Sequence, residues 1–128
     1  MGVFINVSNH PSSQWSEAQL AAARQFGKIT DIRFPAIDPT DPPEKIQRLA
    51  ESTGKFIRAL GKPVVMVQGE FTFTYHLVRY LQSVGIRAVV SCSRRVSDEY
   101  VDEKGETVKI STFRFEGFRD YYSFEKNA

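Results

Sequence analysis

Residues 64–72 read Val64-Val65-Met66-Val67-Gln68-Gly69-Glu70-Phe71-Thr72, and this stretch decides the fold. Its first four residues form a short, unbroken apolar run, the pattern of a central parallel strand covered on both faces. Gln68-Gly69-Glu70 is the turn that leaves the strand, and Glu70 or Thr72 opens the helix that follows. That helix carries a core-facing stripe of Thr74, Leu77, Val78 and Leu81, with Val84 at its end and Gly85 as its stop. Phe73, His76 and Tyr80 form a second stripe, read as the surface of a two-fold homodimer. Ile86–Val90 is the next strand, and the polar segment Ser91-Cys92-Ser93-Arg94-Arg95 leaves it.

Parallel strands need crossover helices, so the same alternation must run upstream. Val3–Val7 is apolar and β-rich and reads as a buried first strand, followed by the loop Ser8-Asn9-His10-Pro11-Ser12-Ser13. Ser16 then stands at a helix N-cap with Gln19 at the capping-box position, Trp15 and Leu20 are spaced as a hydrophobic staple, and Gly27 ends the helix. Lys28–Phe34 gives the second strand, with Ile29, Ile32 and Phe34 as its apolar members. The rigid connector Pro35–Pro43 leads into a helix capped by Asp41, with Pro42 at the first helical position and Glu44 in the box. Ile46, Leu49, Ala50, Thr53, Ile57 and Leu60 fall on one face of it, and Gly61 stops it.

Downstream, 96–101 and 106–118 read as antiparallel strands around Asp102-Glu103-Lys104-Gly105. The apolar alternation through Val108 and Ile110 resumes out of phase at Phe113 and Phe115, which places a bulge near Ser111. Three strand–helix alternations and a hairpin make one α/β domain over residues 1–128. The expected architecture is a Rossmann-like, mostly parallel sheet flanked by helices, with the C-terminal β-hairpin at an edge.

The 128 residues are 41% apolar and 25% charged, enough to build a core without disulfides. No apolar run reaches the roughly 20 residues that span a bilayer, and the start lacks the pattern of a signal peptide. With one cysteine, Cys92, no internal disulfide forms, which fits a reducing, cytoplasmic setting. A net charge of +2, spread among alternating acids and bases, does not announce long nucleic acid. No G-x-G-x-x-G follows the first strand and there is no phosphate-loop lysine. No G-x-S-x-G elbow and no metal-ligand spacing occur either, so neither metal nor cofactor is expected.

In such sheets ligands bind beyond the carboxyl ends of the strands, where helix N-termini and loops converge. Ser8, Asn9, His10, Ser12 and Ser13 follow the first strand. Gln68, Gly69, Glu70 and Thr72 follow the third, and Ser91, Ser93, Arg94 and Arg95 the fourth. Together they offer hydroxyls, amides, an imidazole, a carboxylate and guanidiniums, a set suited to phosphates and ribose hydroxyls. Each has a plainer reading. Ser8, Asn9, Ser12 and Ser13 also satisfy turn backbone, Glu70 also complements a helix dipole, and Arg94 and Arg95 also serve as solvated hairpin residues. Cys92 reads as a small core residue.

Assembled in this way, the chain resembles the small CRISPR-associated Rossmann-fold proteins, the CARF group and its stand-alone ring nucleases. The likeness rests on Val3-Phe4-Ile5-Asn6-Val7-Ser8-Asn9-His10-Pro11, on Val67-Gln68-Gly69-Glu70-Phe71-Thr72 and on Ser91-Cys92-Ser93-Arg94-Arg95. The lysine-bearing G-x-x-K turn of many CARF domains is absent; Glu70 and Thr72 stand there. The resemblance implies a homodimer that binds cyclic oligoadenylate, cyclic tetra-adenylate above all, and degrades it without metal, switching off type III CRISPR signalling. By that resemblance Ser8, Asn9, Gln68 and Thr72 hold ribose and phosphate, Arg94 or Arg95 stabilises the phosphorane, and His10 assists proton transfer. Two rivals stay open: a non-catalytic nucleotide sponge or regulatory module, and an enzyme on a small nucleoside or nucleotide with Glu70 as base or nucleophile.

Overall fold

The computed structural model describes residues 2–125. The elements run β1 (Val3–Ser8), α1 (Glu17–Arg24), β2 (Lys28–Arg33), α2 (Pro43–Ala59), β3 (Val64–Gln68), α3 (Phe71–Ser83), β4 (Arg87–Val101) and β5 (Thr107–Asp120). They form one five-stranded sheet in the order β2-β1-β3-β4-β5. β2, β1, β3 and β4 pair in parallel, and β5 returns antiparallel along β4 as the edge. This is the α/β sheet that the alternation implies.

Strand alternation sends successive side chains to opposite faces. On one face Phe4, Met66 and Val89 pack with Ala23 of α1, joined by Trp15, Phe26 and Phe118. On the other, Ile5, Val7, Val65, Val67 and Ala88 meet Ile46, Ala50 and Ile57 of α2 and Phe73, Leu77 and Leu81 of α3. α1 starts where expected, the Ser16 hydroxyl accepting the Gln19 N–H at 3.2 Å. The Gln19 side chain, however, turns to the Met66 sulfur at 3.7 Å instead of closing a capping box. Trp15 sets its ring edge-on to Phe4, centroids 6.1 Å apart.

Five local expectations are corrected. The N-cap of α2 is Pro42, not Asp41. The Asp41 carboxylate instead accepts the Asp38 N–H at 3.0 Å and pairs with Lys45 at 2.9 Å. Leu60 is exposed, because α2 has already ended at Ala59. Two of the three residues assigned to a dimer surface pack in the core, while His76 stays part-exposed: Phe73 is fully buried against Phe34, centroids 5.0 Å apart. Tyr80 belongs to the same packing and lies over Gly54, where an added Cβ would come within 2.2 Å of its ring. α3 packs on the sheet and on α2 at once, so its buried arc is wider than one stripe.

Ser91–Arg95 is not a loop. β4 runs unbroken from Arg87 to Val101, its polar half held by pairing with β5 rather than by burial. The bulge also moves. Cys92 faces Gly117 while Ser93 faces Phe115, which leaves Glu116 as the extra residue, and Ser97 and Ser111 pair in regular register. The phase slip between Ile110 and Phe113 needs no bulge, since both side chains are exposed and no burial forces them onto one face.

Candidate functional site

The polar residues at the end of β1 form a closed network. Asn6, 1% exposed inside a strand, donates from Nδ2 to the His10 carbonyl at 2.9 Å and to Asp31 Oδ1 at 3.1 Å. Its Oδ1 accepts the Ser8 hydroxyl at 2.6 Å, and Ser8 Oγ in turn accepts the His10 N–H at 3.1 Å. Asp31 Oδ2 takes the Ser12 N–H and hydroxyl, each at 3.1 Å, and Trp15 Nε1 donates to the His10 carbonyl at 3.0 Å. Burying Asn6 is tolerable only because its amide is satisfied in this way. Ser8 and Ser12 therefore act as scaffold. Asn9, His10 and Ser13 stand exposed on the loop.

At the ends of β3 and β4, Gln68 Oε1 accepts both the Ser91 N–H at 3.2 Å and the Ser91 hydroxyl at 2.7 Å. Gln68, Ser91, Ser93 and His10 line one groove of about 640 Å³. Its remaining walls were not foreseen from the sequence. Gln14, Trp15, Ser16 and Gln19 come from the start of α1, and Phe113 and Phe115 from the ribbon, with Met66 beneath. Trp15 was visible as an aromatic before a cap, but its staple reading sent it to the helix instead of the groove. Among the described residues no lysine, arginine, aspartate or glutamate lines this groove.

The other members of the expected set lie elsewhere. Glu70 and Thr72 line a separate cleft of about 420 Å³, with Asp38, Asp41 and His76. There Glu70 is the N-cap of α3, accepting the Phe73 N–H at 2.8 Å and the Thr72 hydroxyl at 2.7 Å. The Phe73 N–H, then the Thr72 hydroxyl, holds its carboxyl below the usual 4.5. A carboxylate so depressed and so occupied is a poor base. Gly69 has a packing reason to be glycine, because a Cβ there would approach the Phe34 ring to 2.3 Å. Arg94 pairs with Glu116 at 2.9 Å. Arg95 lies one residue along from Arg94, opposite Phe113, and reaches Ser111 Oγ at 3.2 Å.

The cap gives a testable pH effect. Because the folded carboxyl is depressed, Glu70 contributes stability above the usual glutamate range and loses it as pH falls through the folded value. Glu70→Ala should cost about 1 kcal/mol at pH 7, the ordinary worth of an N-cap. Urea unfolding of both proteins at pH 7 and pH 3 checks this: the gap should narrow at pH 3, and an unchanged gap would be the contrary result.

Among the described residues no group of three His, Cys, Asp or Glu side chains is placed to hold a metal. Among the same residues no helix is long and apolar enough to cross a membrane. No curated protein matches the chain. Residues 2–119, from the start of β1 to the end of the hairpin, match the model of the Uncharacterized protein MJ1673 family, and the chain belongs to that family.

Proposed function

We propose that the protein binds a cyclic oligoadenylate and opens its ring without metal. The observation that supports this reading is the groove at the carboxyl ends of β1, β3 and β4, where aromatic rings and neutral hydrogen-bonding groups converge. Trp15, Phe113 and Phe115 suit the stacking of bases, worth about 1–3 kcal/mol per base. Hydroxyls and amides of Ser91, Ser93, Gln68 and Gln14 suit ribose hydroxyls and base edges. In this reading two chains share one ring, and the protein works in the cytoplasm to end type III CRISPR signalling.

Ring opening needs no redox partner. A ribose 2′-oxygen attacks the adjacent phosphorus, the P–O5′ bond breaks, the 2′-hydroxyl proton leaves to a base, and the departing 5′-oxygen takes up a proton. The product is linear with a 2′,3′-cyclic phosphate. Holding the 2′-oxygen in line is most of the work. His10 is the groove's candidate proton carrier. Arg95 is the candidate for charge stabilisation, since Arg94 is already matched by Glu116.

Incubation with cyclic tetra-adenylate, with and without EDTA, tests the proposal. Linear products in both arms are expected. Binding without products would leave a sponge, no binding would remove the reading, and loss with EDTA would contradict the metal-free route. Arg95→Ala should weaken binding about tenfold, in line with one charged hydrogen bond of about 1.5 kcal/mol, while Arg94→Ala should change it by less than about twofold. Equal losses for the two would remove the distinction between them.

A further inference from the structure

The Gln68 amide has an orientation that its neighbour dictates. A backbone N–H can only donate, so the atom of Gln68 that faces the Ser91 N–H must be the carbonyl oxygen. The Ser91 hydroxyl reinforces this, donating to the same Oε1 at 2.7 Å. Two donors thus occupy Oε1, and Nε2 is left with no hydrogen-bond partner among the described residues. Gln68 is half-buried, and among the described residues the groove it lines holds no carboxylate, lysine or arginine. One side of that groove carries Trp15, fixed by its bond to the His10 carbonyl, and the ribbon carries Phe113 and Phe115.

We infer that Gln68 is the specificity-determining residue of the groove, a donor-only amide that takes an acceptor on the edge of a nucleobase stacked among Trp15, Phe113 and Phe115. The inference rests on the nucleotide reading above and deepens it. An uncharged, aromatic-walled groove suits the base and not the phosphate. A base with a ring nitrogen or carbonyl toward Gln68 gains a hydrogen bond. A group that presents only donors there leaves the amide unpaired, at a cost. Phosphoryl groups then lie at the groove's rim, beside the exposed His10.

Adenosine, inorganic phosphate and cyclic tetra-adenylate serve as separate probes, read by fluorescence of Trp15, the chain's single tryptophan, and by NMR of the ¹⁵N-labelled Gln68 side-chain amide. Adenosine should quench Trp15 and shift the Gln68 amide, and phosphate should do neither. Gln68→Glu keeps an oxygen for Ser91 and replaces the donor by an acceptor, so adenosine affinity should fall about tenfold or more at neutral pH. It should recover on acidification, because a protonated carboxyl donates again. His10 is the titratable side chain lining the same groove, and Gln68→Ala, which should bind weakly with no such recovery, controls for it. Quenching of Trp15 by adenosine with an unshifted Gln68 amide would overturn the inference, as would a Gln68→Glu protein that binds like the wild type at neutral pH. Adenosine shifting Gln68 while the ring fails to bind would uphold the inference and remove the cyclic ligand. Adenosine without any effect would overturn it.

Discussion

Phe4→Ala is expected to destabilise the protein by about 3–5 kcal/mol, the usual range for an aromatic removed from a core. Phe4 is fully buried on β1, with the rings of Phe118, Phe26 and Trp15 at 5.0, 5.9 and 6.1 Å. These come from the edge strand, the end of α1 and the segment before it. The buried residue that α1 supplies to this face is the small Ala23, so the space left by Phe4 is not readily refilled from the helix. Against a total stability of about 5–15 kcal/mol, such a loss unfolds a large share of molecules on mild heating. Chemical denaturation measures it, and a loss below about 1 kcal/mol would show that this smaller cluster is not a core. Because Trp15 rests on Phe4, the folded fraction of the variant should also show altered tryptophan emission.

His10→Ala should slow ring opening by about 100-fold, the lower range for a positioned proton carrier. Binding should change little. The separation is possible because the loop does not depend on the imidazole. The backbone N–H of His10 is held by Ser8 Oγ, and its carbonyl by Asn6 and Trp15. Removing the side chain therefore leaves the loop and the indole where they are. Single-turnover rates and Trp15 quenching by cyclic tetra-adenylate distinguish the two quantities. Equal losses in both would assign His10 to binding, and an unchanged rate would remove it from the chemistry.

Much of the fold was legible because its signals are local. The Val64–Val67 run, the Ser16 cap and the glycines after each helix act within a few residues, and tertiary packing only had to agree with them. Strand β4 extends past its apolar part because Ser91–Arg95, which has no apolar alternation, takes its conformation from a partner 18 to 27 residues away. Phe73 was sent outward because a helical wheel describes one face, whereas α3 is covered from two directions. The candidate site was legible as a location but not as a grouping. The carboxyl ends of β1, β3 and β4 do converge, yet the sheet has two faces there. Gln68 still belongs to the face of Met66 and Phe4, whereas Glu70 opens a helix on the other. That division separates His10 and Ser93 from Glu70 and Thr72, and only register reveals it. Trp15, Phe113 and Phe115 were visible as aromatics, but nothing in their spacing placed them across from one another.

The unbroken course of β4 has a mechanical meaning. Fifteen residues of strand, about 50 Å when extended, run from beneath the sheet's core to the tip of the ribbon. Ser91, which orients Gln68, and Ser93, which lines the groove, sit partway along this one beam, with the extra residue Glu116 of β5 beside them. The Phe113–Phe115 wall and the serine that orients Gln68 therefore share one support, a single pair of strands that continues outward to the exposed tip at Val101.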